Sequence, residues 1–323
     1  MAGSNGRMQV VYIGGYSRSG STLLLRLLAE SPGLTAVGEL FDVWNRSYRD
    51  DQLCGCGQGF RECPFWREVT QRAFGMKPAE LPWASFEARR QRVQGHASIP
   101  RLWIPALRSA RYRSDLRRYA GDIGRLFRAI FEVSDAEVVL ESSKVPQFAW
   151  VLSEIPDVDV HMVHLIRDSR AAAFSWTRHK VRPEISWKVQ AMDRHTVARS
   201  ALEWSLFNTM LATRRSSFAS YTLLRYEDLV EDPARELRRI ETAVDAPLAY
   251  EHLAEGTAEL GTAHTASGNP SRFAVGPVRI KRDDEWVRGL APKDRRIVTA
   301  LTLPGLHRYG YAMDPGADRE RAS

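Results

Sequence analysis

Cysteine is scarce in this chain, at three in 323 residues, and long apolar runs are missing altogether. No stretch approaches the ~20 consecutive apolar residues that cross a bilayer, which excludes a membrane-spanning helix. The polar, glycine-bearing segment Met1–Gln9 lacks the apolar core of a secretory signal. With few cysteines and no export signal, the expectation is a cytoplasmic protein. A His-Glu-x-x-His pair or comparable carboxylate cluster is also missing, so no catalytic metal is assigned. Internal repeats and long linkers are absent, which favours a single domain over an array.

Charge and apolar residues are plentiful. The hydrophobic fraction is 44% and the charged fraction 26%, close to the average for globular domains, so a buried core is expected and global disorder is not. Lys and Arg total 46 against 39 Asp and Glu, a net charge of +7. The excess is mostly arginine, which holds phosphate-like groups in bidentate fashion at any working pH. A basic balance suits an anionic ligand or a nucleic acid.

Along the chain, short β-branched runs alternate with helical patterns. Val10–Ile13 reads as a strand, broken by Gly14-Gly15, and Leu23–Leu28 as a helix ended near Ser31-Pro32-Gly33. Further strands are expected at Thr35–Val37, Glu137–Glu141, Val158–Ile166 and Tyr221–Leu224. Helices are expected at Gln147–Ile155, Ala171–Arg178 and Arg199–Ser216, with another from the Asp232-Pro233 cap to Val244. From Pro82 to Ser134 the chain is arginine-rich, with apolar residues at helical spacing (Leu116, Tyr119, Ile123, Leu126, Phe127, Ile130). The alternation predicts an α/β fold: a central parallel sheet covered by helices on both faces, in three layers.

Gly15 and Gly20 stand in G-x-x-x-x-G spacing between strand and helix, the context in which backbone N–H groups cradle an anion. The lysine that follows the second glycine in ATP-binding loops is missing, since Ser21 and Thr22 occupy those places. Arg18 supplies a cation from inside the loop instead. The segment Gly15-Tyr16-Ser17-Arg18-Ser19-Gly20-Ser21-Thr22-Leu23-Leu24 resembles the 5′-phosphosulfate loop of sulfotransferases. It is most similar to the branch with Arg-Ser-Gly-Thr-Thr, which includes carbohydrate and tyrosylprotein sulfotransferases.

The resemblance implies a P-loop-type sulfotransferase domain over residues 1–313. An inserted arginine-rich helical region would occupy about 45–134, and 314–323 would form a loose tail. It also implies 3′-phosphoadenosine-5′-phosphosulfate (PAPS) as donor, with no metal required. The donor would be held by Tyr16, Ser17, Arg18, Ser19, Gly20, Ser21, Thr22 and Leu23. Arg167-Asp168-Ser169-Arg170 with Ser175 resembles the family's 3′-phosphate site, carried by Arg167 and Ser175, with Arg178 a weaker candidate on the same helix. Tyr226 matches a tyrosine near the nucleotide. Ser267–Arg272 and Gly276–Lys281 resemble the loop placed over the adenosine, bringing in Asn269, Arg272, Arg279 and Lys281.

For catalysis the resemblance points to Glu39, in Gly38-Glu39-Leu40, as general base, with a raised pKa if it lies deep in a cleft. Lys144 would face the leaving oxygen and Arg18 the sulfate. His161 and His164 lie within a strand and read as sheet or core residues. A small molecule, natural product or glycan is the expected acceptor, with peptidyl tyrosine as an alternative. The aromatic residues Trp44, Tyr48, Trp66, Trp83 and Trp103 suit either an acceptor wall or the core.

Cys54, Cys56 and Cys63 fit part of a zinc site lacking an evident fourth ligand, a disulfide with a spare thiol, or a reduced loop. Their segment is expected beside the acceptor entrance. Two rival functions are a P-loop kinase or hydrolase using ATP and Mg²⁺, and a non-catalytic nucleic-acid or anion binder.

Overall fold

Five β-branched runs become five parallel strands. The computed structural model describes residues 6–178, 185 and 195–313; the expected tail at 314–323 lies outside the described residues. The strands are β1 (Met8–Gly15), β2 (Leu34–Gly38), β3 (Val138–Lys144), β4 (Val158–Ile166) and β5 (Ser220–Arg225), in the order β2-β3-β1-β4-β5. Three further short strands, β6 (Leu253–Ala254), β7 (Thr257–Leu260) and β8 (Gly276–Arg279), form an antiparallel sheet.

Helices occupy both faces of the parallel sheet, giving the expected three-layer α/β fold. In chain order they are α1 (Ser21–Leu28), α2 (Pro64–Phe74), α3 (Trp83–Gln94), α4 (Ile99–Trp103), α5 (Ala110–Ser134) and α6 (Pro146–Leu152). There follow α7 (Ser169–Thr177), α8 (Val197–Thr213), α9 (Tyr226–Glu231), α10 (Pro233–Val244), α11 (Glu285–Gly289) and α12 (Pro292–Arg308). Asp232 caps α10 by accepting from the Arg235 N–H, as its position before Pro233 predicts.

One face of the sheet packs β1 residues Val10 and Tyr12 with the aromatic side chains of α2, α3 and α5. The other packs Val11 and Ile13 with Leu24, Leu25, Leu27 and Leu28 of α1. Period-two alternation along β1 thus serves both layers. Trp44, Tyr48 and Trp66 are wholly buried in the first cluster, and Trp83 and Trp103 pack against it. The first three are core and the other two half-buried against it, and none of the five lines the cavity at the sheet's carboxyl edge. His161 and His164 are also sheet residues: His161 bonds Ser220 and Gln9, and His164 bonds Tyr221 and Asn208.

The strand expected at Glu137–Glu141 runs on to Lys144 as β3. Between Tyr12 and Gly14 of β1 the partner advances from Glu141 to Lys144, so β3 carries one extra residue there. That bulge, with Lys144 at φ 71°, re-aims the end of the strand.

Candidate active site

All five parallel strands deliver a residue to one cavity at their carboxyl edge, where open α/β sheets place their ligands. The cavity is about 390 Å³, within the roughly 300–1,000 Å³ range of small-molecule sites. Ser17 and Arg18 follow β1, Glu39 follows β2, Lys144 ends β3, Arg167 follows β4 and Tyr226 follows β5; all line it.

The loop after β1 is shaped by its glycines. Gly20 has φ 89°, and a Cβ there would meet Tyr226 Cδ2 at 2.5 Å. Only glycine fits. Gly20 also starts α1 without a side-chain cap, which leaves the first-turn N–H groups at the cavity beside Ser21, Thr22 and Leu23. The five non-glycine residues at positive φ among those described are Arg18, Asp51, Asp135, Lys144 and Asp245. Aspartate tolerates this region, whereas Arg and Lys rarely adopt it. The only two cations held there are both in the cavity, as strain collected at a functional site would have it. The Arg18 guanidinium stacks over Trp176 at 4.7 Å.

Glu39 and Lys144 meet directly. The Lys144 ammonium donates to Glu39 Oε1 and, at 3.0 Å, to the Ser142 carbonyl. Burial pushes the Glu39 carboxyl up, but Lys144, Arg46 and Arg272 outweigh it and hold the group below the usual carboxylate range. The raised pKa expected from a deep cleft is therefore reversed by neighbouring cations.

Glu141 sets the position of this pair. Fully buried on β3, it accepts from the Leu40 N–H at 2.9 Å, from the Ser143 N–H at 2.9 Å and from the Ser143 hydroxyl. Ser143 Oγ accepts from the Phe41 N–H at 2.9 Å. The backbone just after Glu39 is thus tied to the strand that ends in Lys144. Gly38, at φ 79°, lies so close to the Ser267 carbonyl that a Cβ would approach it to 2.5 Å, and the Glu39 N–H donates to that carbonyl at 3.1 Å.

Arg167 donates to the Arg18 carbonyl at 3.1 Å and pairs with Asp283 at 3.0 Å. Its guanidinium lies 4.5 Å from the Tyr226 ring centre. Ser175, on α7, lines the same region.

Ser17, Arg18, Gly20, Ser21, Thr22, Leu23, Glu39, Lys144, Arg167, Ser175, Tyr226 and Asn269 come together around the cavity. The other expected residues stand outside it. The Tyr16 hydroxyl donates to Glu203 at 3.2 Å, and Ser19 Oγ donates to the Tyr16 carbonyl at 2.7 Å, so both shape the loop from behind. Arg272 is buried and donates to the Thr265 and Leu53 carbonyls at 2.9 and 2.6 Å. Arg279 and Lys281 are exposed on and just after β8, and Arg178 pairs with Glu285.

Sequence reasoning missed Arg46, Trp176 and Asp283 on the cavity wall, while Gly268 and Ser271 reach it from the expected Ser267–Arg272 segment. It also passed over Arg26, whose signal was a lone arginine in a leucine-rich helix. Arg26 is 2% exposed and donates to the carbonyls of Gly261, Ser271, Arg272 and Ala274, pinning the segment that closes the cavity.

Fold and site together define a parallel α/β protein with a glycine loop opening α1 and convergent cations at the sheet's carboxyl edge. The profile of the Sulfotransferase family matches residues 10–250, and the chain belongs to that family of transferases. The sulfotransferase domain from the olefin synthase of Synechococcus PCC 7002 is 19% identical, with a TM-score of 0.50 over 92% of this chain and 95% of that one. The sulfotransferase domain from the curacin biosynthetic pathway is 15% identical, with a TM-score of 0.48 over 91% of this chain and 98% of that one. Sulfotransferase STF9 from Mycobacterium avium is 12% identical, with a TM-score of 0.47 over 95% of this chain and 78% of that one. No curated protein matches the chain significantly. No helix among the described residues is long and apolar enough to cross a membrane.

Proposed function

We propose that the protein moves a sulfuryl group from PAPS to the hydroxyl of a small molecule, natural product or glycan. The observation that carries this reading is that Arg18, Arg167 and Ser175 line the same cavity in which Glu39 and Lys144 meet. A donor with a 5′-phosphosulfate and a separate 3′-phosphate needs two anion sites. The loop Ser17–Leu23 with the α1 N-terminus suits the first, and Arg167, Ser175 and Tyr226 suit the second. Asp283 holds Arg167 by an ion pair, and a 3′-phosphate would take over that partner's place.

The acceptor oxygen forms a bond to sulfur as the bond from sulfur to the bridging phosphate oxygen breaks, and the acceptor proton passes to Glu39. Arg18 and the loop N–H groups hold the sulfuryl oxygens, while Lys144 meets the charge growing on the bridging oxygen. The Glu39–Lys144 contact links these roles. While Lys144 rests on Glu39, the carboxylate is ionised but weakly basic. As Lys144 turns to the leaving oxygen, Glu39 loses its strongest stabilising neighbour and becomes a better base at the step that needs one.

The sulfuryl group carries less negative charge than a phosphoryl, and no metal is assigned to its transfer. One catalytic domain that includes the 45–134 region, working in a reducing cytoplasm, is part of this proposal. The direct test is transfer of radiolabelled sulfate from PAPS to a panel of phenolic, aliphatic and sugar hydroxyls and a tyrosyl peptide. A labelled product lost in Glu39→Gln supports the reading. Absence of transfer to every class, with no binding of the desulfated nucleotide, rejects it.

A further inference from the structure

The three cysteines that sequence leaves unassigned converge on a histidine some 200 positions away. Cys54, Cys56, Cys63 and His264 each offer one ligand atom, and these four atoms all lie within 4.8 Å of one another. Cys63 Sγ is 3.8 Å from Cys56 Sγ and 3.3 Å from His264 Nδ1, and Cys54 Sγ is 3.9 Å from the same nitrogen. A tetrahedral zinc ion, with Zn–S about 2.3 Å and Zn–N about 2.0–2.1 Å, holds adjacent ligand atoms roughly 3.5–3.8 Å apart. Cys54 and Cys63 are buried, and Cys56 and His264 half-buried.

The ligands are fixed by their own surroundings. Cys54 and Cys56 sit on a tight turn in which the Cys54 N–H donates to the Gln58 carbonyl at 2.7 Å and the Gly57 N–H to the Cys54 carbonyl at 2.8 Å. Gly57, at φ 86°, permits the turn. Cys63 is the residue before α2, and its N–H donates to the Gly59 carbonyl at 3.0 Å. Trp66, one turn into α2, donates its indole N–H to the His264 carbonyl at 2.9 Å, and the Phe65 ring stacks on the imidazole at 5.1 Å and 11°. The imidazole is thereby turned with Nδ1 towards the three sulfurs.

We propose that Cys54, Cys56, Cys63 and His264 bind one zinc ion that fastens the 54–63 segment to the 264–271 segment walling the active cavity. Three thiolates and one imidazole make a soft, complete tetrahedral donor set. With no open position, the site is structural and not catalytic. On binding, each cysteine thiol releases its proton to solvent and coordinates as thiolate. His264 coordinates through the Nδ1 lone pair, with its proton on Nε2.

The site's neighbours show what it would hold. The Gly55 N–H donates to the Thr265 carbonyl at 2.9 Å, and Arg272 bridges the Leu53 and Thr265 carbonyls. Two residues past Thr265, the Ser267 carbonyl accepts the Glu39 N–H, and Gly268, Asn269 and Ser271 line the cavity. An ion at His264 therefore braces the backbone against which Glu39 is set.

The test uses the full chain purified under reducing conditions without a metal-affinity tag. Elemental analysis should find about one zinc per chain. After removal by chelator, cobalt(II) should restore tetrahedral d–d absorption with a thiolate charge-transfer band. Cys63→Ser tests a buried ligand. Cys56→Ser and His264→Ala, at half-buried positions, keep the test interpretable if Cys63→Ser does not fold. Each should lower zinc content at least tenfold while circular dichroism shows the last two folded. Two results would overturn the proposal: less than a tenth of an equivalent in both isolated and zinc-reconstituted protein, or full zinc content in Cys56→Ser and His264→Ala. A third would be one free thiol instead of three on unfolding the isolated protein, which would mark a disulfide.

Discussion

Replacing Glu39 by Gln removes one proton-accepting charge and almost no volume, so its effects on binding and on turnover separate. A positioned general base contributes about 10²–10⁴-fold, and the turnover of Glu39→Gln should fall by that factor. Nucleotide binding should move the other way. In the wild type the Lys144 ammonium is in contact with the Glu39 carboxylate, and unit charges ~4 Å apart at an effective dielectric near 20 interact by about 4 kcal/mol. Removing the carboxylate releases Lys144 towards an incoming anion. Most of that energy is returned as Lys144 is resolvated, so a gain of up to about 1.4 kcal/mol, or tenfold in Kd, is expected for 3′,5′-bisphosphoadenosine. Titration calorimetry with this nucleotide, beside single-turnover transfer of labelled sulfate, reads both effects on one preparation. Because neighbouring cations hold Glu39 below the usual carboxylate range, it stays ionised through neutral pH. The wild-type kcat/KM, which follows the free enzyme, should therefore show no loss from this group until the pH falls below the usual carboxylate range. Wild-type turnover in Glu39→Gln, or loss of nucleotide binding together with turnover, would refute the assignment.

Three further outcomes follow from the same geometry. Arg18→Ala should abolish measurable nucleotide binding and transfer together, and normal affinity by calorimetry would remove the loop from the site. Gly20→Ala brings a Cβ within 2.5 Å of Tyr226 at φ 89°, and should cost about 1–3 kcal/mol by urea unfolding as well as nucleotide binding; wild-type stability would show that the loop relaxes freely. Glu141, raised by burial to about 7, keeps its proton in the folded state after the unfolded chain has lost it near pH 4.3. Its contribution to stability is thus full below pH about 4.3 and falls as pH rises to about 7, by about 3 kcal/mol. Urea unfolding of wild type and Glu141→Gln at several pH values should show this slope only in the wild type, and equal slopes would contradict it.

The fold was legible because its determinants are local. Val10–Ile13 and Val158–Ile166 are β-branched runs, and Gly20 is fixed by the positive φ its turn requires. Asp232 announces a helix start by hydrogen-bonding chemistry alone. Residues whose roles depend on distant partners were not legible. Glu141 looks like a strand's polar end, and only the pairing of β3 with β2 sets its carboxylate under the Leu40 N–H. The bulge before Lys144 is a matter of register between strands, which no single strand encodes. Arg272 carries the expected charge, but backbone carbonyls from two separated segments claim its guanidinium. His264 sits in a sequence, Thr262-Ala263-His264-Thr265, that gives no metal signal until folding brings it to the cysteines.

The central claim is that this cavity receives a nucleotide bearing separate 3′- and 5′-phosphates. Thermal unfolding with 3′,5′-bisphosphoadenosine, ADP, or ATP with Mg²⁺ tests it most directly. At 100 times its dissociation constant, a ligand that binds only the folded state stabilises it by about 2.7 kcal/mol. The account predicts that the bisphosphate gives this stabilisation, that ATP with Mg²⁺ gives little, and that Arg167→Ala removes most of the effect. Stabilisation by ATP with Mg²⁺ in preference to the bisphosphate would contradict it.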